Sequence, residues 1–382
     1  MTIKILHLIT GLNTGGAEIS LYRLLGHMDN SRFENRVISL IPVGEIGDKI
    51  RTLGISVTSL GIRPGQFSLT ALRSLVHEMI RDRPDILQTW MYHADLAGGL
   101  AAHRAGSPPV VWGLHNTIAG HGALKPATYA IARVNALLSR FLPIKIVCCA
   151  EAARRTHANL GYLEKKMVVI PNGIDPLIFH FDKEARLTMR RELGIDDHSL
   201  VVGLCARFDA QKDHANFVQA ARILHHRMPS IQFLLWGKDI DQNNNVLGGW
   251  LREAGIEGSV HLLGLRNDSP RLFSILDLAC LSSFSEAFPV SIGEAMACEI
   301  PCVVTDAGDS ALLVGDSGLV VPRRDPEALA AAWVDLLSIS SEERQIRGKK
   351  ARQRILDHYS LEKMVSAYTG LYQDIITSSS HK

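Results

Sequence analysis

Short apolar runs alternate with longer amphipathic stretches along almost the whole chain. The runs have the length of buried strands, and the stretches between them have the spacing of helices. The clearest apolar runs are 3–9, 36–41, 86–89, 110–113, 144–149, 200–206, 231–236, 260–263, 276–281 and 301–305. This alternation predicts an α/β fold with parallel, doubly wound sheets. Because 382 residues exceed one ordinary hydrophobic core, two such domains are expected.

A cluster of turn residues marks the predicted boundary between the two domains. The segment 168–176, Val-Val-Ile-Pro-Asn-Gly-Ile-Asp-Pro, contains two prolines and an Asn-Gly pair. Such residues interrupt helix and strand patterns alike. We therefore predict a first domain over residues 1–172 and a second domain that begins at residue 173.

Composition narrows the class of protein. No apolar run approaches the roughly 18 residues of a membrane-spanning helix. The first apolar run leads into a glycine-rich turn, which favours a first strand over a signal peptide. Six cysteines without a C-x-x-C pair indicate reduced thiols and a cytoplasmic protein. Sixteen histidines without an H-E-x-x-H motif form no evident metal-ligand cluster, and no metal is expected.

The net charge of +2 conceals an asymmetry between the two halves. Residues 1–175 contain 19 Lys and Arg against 12 Asp and Glu, whereas the remainder contains 22 against 27. A basic first half suits an anionic membrane surface or an anionic acceptor, and it equally suits a merely solvated surface. Basic and apolar residues mix in the segment 120–142, which is either a helix packed on its domain or one partly inserted at a membrane surface. No nucleic-acid recognition motif accompanies the charge, so nucleic acid is not an expected partner.

Two charged loops follow predicted strands, at the strand ends where open α/β sheets bind ligands. Arg207 and Lys212 follow one strand, and two cations at this spacing can hold two linked phosphates. Glu286 and Glu294 bracket a second loop and the start of the helix predicted over residues 290–297. The N-terminus of this helix favours an anion. Because the two carboxylates lie on either side of it, both can face hydroxyl groups of a ligand whose centre is anionic.

Three further segments carry candidate residues. The adjacent Gly15 and Gly16 let the backbone approach a ligand that a Cβ would exclude, although they do not form a G-x-G-x-x-G motif. His93 and His115 each follow a strand, and each is either a structural or a functional histidine. The Asp-Ile-Asp string at 239–241 could hold a cation, but two loop cations can already offset a diphosphate, and we interpret the string as incidental.

The pattern around the two glutamates resembles a known family. Glu286 and Glu294 form an E-x7-E motif flanked by Phe-Pro, Glu-Ala-Met-Ala and Pro-Cys-Val-Val-Thr-Asp. With Gly-Gly-Ala-Glu at 15–18 and Pro-Asn-Gly-Ile-Asp at 171–175, this set resembles retaining, nucleotide-sugar-dependent GT-B glycosyltransferases. The closest resemblance is to family-four enzymes that build bacterial surface polysaccharide. It implies two Rossmann-like domains facing a central cleft, a second domain over 173–360, and a last helix in 361–382 that crosses back to the first domain.

The resemblance also implies roles for individual residues. Arg207 and Lys212 would bind the donor diphosphate and stabilise its charge as it leaves. Glu286 would hold the sugar hydroxyls or a developing oxocarbenium ion, and His115 would lie near the transferred sugar. The residues implied in donor binding are Gly15, Gly16, Leu265, Arg266, Phe288, Pro289, Val290 and Glu294. Among them, Glu294 would hold the ribose hydroxyls, and the turn at 264–266 would contact the base.

The implied function is retaining transfer of a sugar from a nucleotide-diphosphate sugar, with a UDP-sugar favoured. The acceptor would be a glycan or a polyprenyl-diphosphate-linked sugar in exopolysaccharide, capsule or lipopolysaccharide synthesis. Such an enzyme would need neither cofactor nor metal, and would work in the cytoplasm, with peripheral contact to the inner membrane. Two alternatives stay open: a sugar-nucleotide epimerase or phosphorylase of the same fold, and a non-catalytic nucleotide-sugar-binding protein.

Two residues depart from the family pattern. Glu299 stands where most relatives have glycine, so a backbone with positive φ at this position would be strained by roughly 1 kcal/mol. Pro289 lacks a backbone N–H in a loop where many relatives carry a glycine that can donate to the sugar. The identity of the sugar therefore does not follow from the resemblance.

Overall fold

The computed structural model describes residues 2–63, 68–118 and 124–380. It divides into two compact units. Unit 1 comprises Met1–Gly173 together with Leu361–Lys382, and unit 2 comprises Ile174–Ser360. The sequence-based boundary lies one residue earlier, and the terminal segment set apart from position 361 belongs to unit 1.

Unit 1 is a seven-stranded parallel sheet covered by helices. Its strands are β1 (Ile3–Ile9), β2 (Phe33–Ser39), β3 (Ser56–Ser59), β4 (Ile86–Trp90), β5 (Val110–Leu114), β6 (Lys145–Cys148) and β7 (Met167–Val169). Its helices are α1 (Gly16–His27), α2 (Glu45–Thr52), α3 (Leu69–Asp82), α4 (Tyr92–Arg104), α5 (Pro126–Leu138), α6 (Glu151–Leu160) and the C-terminal α15 (Leu361–Ser380). The strand order is β3-β2-β1-β4-β5-β6-β7, and the central strands β4 and β5 are buried along their whole length.

Helix α15 completes the core of unit 1. Its buried side chains Met364, Tyr368 and Tyr372 pack in the same hydrophobic cluster as strands β1 and β4. The hydroxyl of Tyr372 donates to Oε1 of Gln88 over 3.1 Å. At the other end of the helix, the backbone N–H of Gly173 lies 3.1 Å from the sulfur of Met364. The last helix is therefore an integral part of the first unit.

Unit 2 is a six-stranded parallel sheet, again with helices between successive strands. Its strands are β8 (Val201–Cys205), β9 (Gln232–Trp236), β10 (Val260–Leu262), β11 (Leu278–Leu281), β12 (Cys302–Thr305) and β13 (Leu319–Val321). Its helices are α7 (Lys183–Glu192), α8 (His214–Arg227), α9 (Asn245–Ala254), α10 (Ser269–Ser274), α11 (Val290–Ala297), α12 (Ser310–Val314), α13 (Pro326–Ser338) and α14 (Ser341–Arg354). The strand order is β10-β9-β8-β11-β12-β13. The predicted α/β class with two parallel, doubly wound sheets is confirmed.

The strand orders locate one switch point in each sheet. In unit 1 the order reverses between β1 and β4, and in unit 2 it reverses between β8 and β11. Loops that leave neighbouring strands in opposite directions open a crevice at their carboxyl ends, which is where α/β sheets bind ligands. The loops after these four strands are therefore the first places to look for a site.

Three short strands and one helix end differ from the sequence-based expectation. Strands β3, β7 and β13 have only three or four residues and were not predicted; β7 lies partly in the segment assigned to a turn. So short a run carries little periodicity, and backbone pairing with the adjacent strand decides its conformation. The amphipathic pattern over 341–358 predicts one continuous helix, but α14 ends at Arg354 and a five-residue π-helical turn follows it.

Candidate active site

The loops after β8 and β11 bring two predicted residues together in unit 2. The Nζ of Lys212 lies 2.5 Å from Oε1 of Glu286, and both side chains are largely buried. The hydroxyl of Ser283 donates to the same carboxylate oxygen over 2.7 Å. A buried ion pair with a further hydrogen bond holds both charges in fixed positions at the switch point of the sheet.

Hydrogen bonds between the two loops explain this positioning. The hydroxyl of Ser282 donates to the carbonyl of Lys212 over 2.8 Å, and the N–H of Phe284 donates to the carbonyl of Gln211 over 3.0 Å. On the other side, the hydroxyl of Thr305 at the end of β12 donates to the carbonyl of Ser283 over 2.5 Å. The serines of the predicted polar loop therefore tie three strand ends together.

Gly308 supports the same loop by its lack of a side chain. Its φ is +61°, and a Cβ added there would collide with the carbonyl oxygens of Glu286 and Ala287. The run Asp-Ala-Gly-Asp-Ser at 306–310 predicts a tight turn but does not indicate this close approach. Ser283 and Gly308 are thus site residues that the sequence analysis missed; the two serines before the glutamate were the only local signal.

Arg207 and Glu294 complete the charged groups near the end of β8. The Arg207 side chain is 55% exposed and its Nε lies 3.3 Å from Oδ2 of Asp209, so the guanidinium can reorient toward a ligand. Burial raises the pKa of the Cys205 thiol at the end of β8, the Glu294 carboxylate raises it further and Lys212 lowers it. Glu294 is the fifth residue of helix α11.

Helix α11 begins with a compact turn. The N–H of Val290 donates to the carbonyl of Phe288 over 3.0 Å, and the N–H groups of Ile292 and Gly293 donate to the carbonyl of Pro289. Phe288 is buried, with its ring centre 5.6 Å from that of Tyr359. The predicted donor-binding Phe288, Pro289 and Val290 thus shape the helix start, and Ser291 supplies the remaining N–H of this turn.

The turn predicted to contact a base has a defined shape. Gly264 has a φ of +66° and donates its N–H to the carbonyl of Ile240 over 2.7 Å. Leu265 is exposed, and Arg266 forms a two-point contact with Asp268 at 2.7 and 2.5 Å. The hydrogen bonds from Arg266 hold the pKa of the Asp268 carboxyl below its usual range. The Arg266 side chain is therefore occupied by Asp268, so contact between this turn and a base would use the turn's backbone and Leu265.

In unit 1, the two predicted glycines begin helix α1. Gly15 precedes the helix with extended backbone, and a Cβ at Gly15 would collide with the carboxylate of Glu18. A Cβ at Gly16 would meet no atom within 4 Å. Open space at Gly16 leaves its backbone accessible to a ligand. Nearby in the first turn of α1, burial raises the pKa of the Glu18 carboxyl.

His115 follows β5 in a hydrophobic setting. Its imidazole stacks on the indole of Trp90, with ring centres 4.9 Å apart and planes 23° from parallel. Both ring nitrogens are buried and have no hydrogen-bond partner among the described residues. Burial lowers the pKa of His115 to about 4. The ring is therefore neutral at physiological pH, with one nitrogen able to donate and the other able to accept a hydrogen bond.

Trp90 holds this histidine from the core. Its indole N–H donates to Nδ1 of His7 over 3.3 Å, and Nε2 of His7 lies 3.0 Å from Oδ1 of Asn35. The Tyr368 ring of α15 stacks on the same indole at 5.9 Å. The backbone turns sharply after Trp90, where Met91 has a φ of +75°. His93, the other histidine singled out in the sequence, lies in the first turn of α4.

Within the described ranges, no group of three or more His, Cys, Asp or Glu side chains is arranged to hold a metal ion. Asp241 of the Asp-Ile-Asp string accepts the N–H of Asn243 in a local turn. All six cysteines are free thiols, five of them buried. Over the same ranges, no helix is long and apolar enough to cross a membrane.

Family models match both units. The model described as Glycosyltransferase Family 4 matches residues 14–176, and the model described as Glycosyl transferases group 1 matches residues 199–338. The chain belongs to the GT-B glycosyltransferases. In this glycosyltransferase the first match contains Gly15, Gly16 and His115, and the second contains the ion pair of Lys212 and Glu286.

Two relatives and one solved structure illustrate the similarity. The Escherichia coli UDP-Gal:alpha-D-GlcNAc-diphosphoundecaprenol alpha-1,3-galactosyltransferase is 24% identical over 81% of this chain and 80% of its own. The Campylobacter jejuni N,N'-diacetylbacillosaminyl-diphospho-undecaprenol alpha-1,3-N-acetylgalactosaminyltransferase is 24% identical over 96% and 98%. Anabaena HepE in complex with UDP has a TM-score of 0.86 at 21% identity, over 97% of this chain and 100% of that one. HepE has also been solved with UDP-glucose. The glycosyltransferase fold thus extends over essentially the whole chain.

Proposed function

We propose that this glycosyltransferase transfers a sugar from a UDP-sugar to a glycan or lipid-linked sugar acceptor, with retention of anomeric configuration and without a metal ion. The observation that carries the proposal is the buried Lys212–Glu286 ion pair at the switch point of unit 2, with Arg207 in the same loop as Lys212. It unites the cation needed for a leaving diphosphate with a carboxylate suited to sugar hydroxyls. HepE, of the same fold, was solved with UDP and with UDP-glucose.

In the proposed reaction, fixed positive charge carries most of the catalytic effect. Lys212 and Arg207 neutralise the diphosphate as the sugar–phosphate bond breaks, and preorganised charge of this kind needs little reorganisation during the reaction. Glu286 holds the sugar hydroxyls or the developing oxocarbenium ion, and Glu294 holds the ribose. The acceptor hydroxyl attacks from the face that the diphosphate leaves, and a phosphate oxygen takes its proton. In unit 1, the neutral His115 accepts or donates one hydrogen bond to a substrate hydroxyl.

The proposed acceptor class rests on two supports. The names of the E. coli and C. jejuni relatives describe sugars on a diphosphoundecaprenol carrier. The first half of this chain carries seven more basic than acidic residues, which suits an acceptor that bears a diphosphate at a lipid surface. We therefore propose a cytoplasmic enzyme of bacterial exopolysaccharide, capsule or lipopolysaccharide synthesis with peripheral contact to the inner membrane.

A thermal-shift panel tests the donor part of the proposal. UDP, GDP, ADP and their sugars are added to wild type, to Lys212→Ala and to Lys183→Ala, an exposed lysine of the same unit that serves as the matched control. Ligand at 100 times Kd stabilises the native protein by about 2.7 kcal/mol. We expect a shift with UDP-sugars that disappears in Lys212→Ala and persists in Lys183→Ala. No shift with any nucleotide would contradict the proposal.

Product analysis tests the reaction itself. With a UDP-sugar and a diphosphate-linked acceptor, anomeric proton NMR should show a product with the configuration of the donor, and chelation with EDTA should leave the rate unchanged. Inverted configuration, or loss of activity on chelation, would refute those parts of the proposal. Turnover of the donor without any acceptor would instead identify an epimerase.

A further inference from the structure

Helix α5 exposes apolar side chains on its outer face. Val134 and Leu137 point away from the core, and Phe141 follows in the turn after the helix; Leu137 is 69% and Phe141 79% exposed. The opposite side of the helix is buried through Ala132, Asn135 and Ala136. A surface helix ordinarily turns its polar face outward. Here small residues face the core and large apolar residues face out, so core packing does not account for the outer face.

Hydrogen bonds from Lys166 and Leu163 fix the turn that carries Phe141. The Nζ of Lys166 donates to the carbonyls of Ser139, Arg140 and Pro143 at 3.1, 2.8 and 2.6 Å. The hydroxyl of Ser139 in turn accepts the N–H of Leu163 over 2.9 Å. Satisfied carbonyls at this helix end keep the turn in one shape. Phe141 therefore stands on a preorganised support.

The chain segment that carries this face has charge of a single sign, and the exposed Glu164, which follows Leu163 near the helix end, is paired with Arg154. Residues 96–150 include no Asp or Glu. Arg133 and Arg140 lie on or beside the outer face, and Lys125 and Lys145 lie near its two ends. Among the described residues, none of these four takes part in an ion pair with a carboxylate. Their charges are therefore available to an external anionic surface.

We propose that this face, defined by Val134, Leu137, Phe141, Arg133 and Arg140, docks on an anionic lipid bilayer. Apolar side chains at the centre would enter the boundary between headgroups and acyl chains, while the long basic side chains beside them would reach lipid phosphates. The surrounding positive charge is what selects a bilayer over a second copy of the chain, because two like-charged faces would repel each other. The inference rests on the proposed function in one respect: a lipid-linked acceptor requires the enzyme at such a surface.

Vesicle cosedimentation of the full-length protein tests the proposal. The vesicles are phosphatidylglycerol mixed with phosphatidylcholine, with pure phosphatidylcholine for comparison. Wild type should bind the anionic vesicles in preference, and Leu137→Glu/Phe141→Glu should reduce the partition coefficient about tenfold or more, since each kcal/mol lost is about fivefold. The matched control is Leu69→Glu/Ile346→Glu, at two sites 63% and 60% exposed elsewhere, which adds the same charge and should bind like wild type.

A second variant separates charge from insertion. Arg133→Gln/Arg140→Gln should weaken binding to the anionic vesicles by about fivefold per residue, and added salt should shrink the difference from wild type. Binding to pure phosphatidylcholine should change little. Circular dichroism melting of every variant checks that the fold is intact.

The proposal is overturned if wild type binds both vesicle types equally or neither, or if the control variant loses as much binding as the α5 variant. It is also overturned if sedimentation velocity shows a wild-type dimer that Leu137→Glu/Phe141→Glu dissociates, because the face would then join two copies. Assay of the α5 variant on a water-soluble acceptor keeps the two proposals apart. If the α5 variant turns over the water-soluble acceptor fully but no longer binds vesicles, the docking face is supported. If wild type binds no nucleotide, the proposed function alone is refuted.

Discussion

Replacement of Glu299 by glycine should stabilise unit 2. Glu299 directly follows the C-cap of helix α11 and has a φ of +62°, as expected if it occupies a position suited to glycine. Its carbonyl lies against Gly348 of α14 so closely that a Cβ on Gly348 would collide with it. Close packing of α14 therefore holds Glu299 in the left-handed region despite the strain.

The expected gain is the difference between two known effects. A left-handed conformation costs a residue with a Cβ roughly 1–2 kcal/mol. Glycine costs about 0.4–1 kcal/mol through the greater freedom of the unfolded chain. The difference between the midpoints of these ranges is about 0.8 kcal/mol, so Glu299→Gly should raise the free energy of unfolding by about that amount. For a domain the size of residues 174–360, this corresponds to a rise in Tm of about 1–4 °C.

Differential scanning calorimetry of wild type, Glu299→Gly and Glu299→Ala measures this gain. Alanine removes the same carboxylate but keeps the Cβ, so Glu299→Ala should melt at or below the temperature of wild type. An unchanged or lower Tm for Glu299→Gly would refute the strain argument. An equal rise in both variants would assign the gain to the lost side chain rather than to the backbone.

Three other perturbations have defined outcomes. Gly308→Ala should destabilise unit 2 by about 1–3 kcal/mol in urea unfolding, because the new methyl group collides with the Glu286 carbonyl. A double-mutant cycle of Lys212→Met and Glu286→Gln should give a coupling energy of about 1.5–3 kcal/mol in the free energy of unfolding. Near-zero coupling would mean that the ion pair does not stabilise the fold. Burial lowers the pKa of His7 and His157 to about 4. The unfolded chain therefore binds protons first, and the free energy of unfolding should fall between about pH 6.5 and 4 by roughly 1.4 kcal/mol per unit for each histidine, with a shallower fall in His157→Asn.

The sequence predicted the core of unit 2 closely because its site residues are local. The apolar runs 200–206, 276–281 and 301–305 correspond to β8, β11 and β12, and helix α11 has the predicted bounds. Each run is buried on both faces of a parallel sheet, so it appears as an uninterrupted apolar stretch. Charged residues directly after such a run must lie at a carboxyl edge. That rule places Arg207, Lys212 and Glu286 without any knowledge of their contacts.

The contacts within the site could not be predicted from the sequence. Hydrogen bonding of the Val290 N–H to the Phe288 carbonyl depends on the backbone conformation of Pro289, which the sequence pattern does not specify. The collision that requires glycine at position 308 involves a carbonyl 22 residues earlier in the chain. A turn pattern predicts that the chain reverses, but it does not predict what the turn packs against. Residues 120–123 of the predicted segment 120–142 lie outside the described residues.

Unit 1 illustrates a deeper limit, because its core is discontinuous in the chain. The indole of Trp90 stacks with His115 and with Tyr368, and Tyr372 bonds to Gln88 across 284 positions of sequence. Amphipathic spacing in the last twenty residues predicts a helix but does not indicate which domain its apolar face packs against. Only the family resemblance directed that helix to the first domain. The packing around Trp90, on which His115 stacks, thus includes a helix encoded after the whole of unit 2, and a fragment that stops at Gly173 would lack the Tyr368 ring.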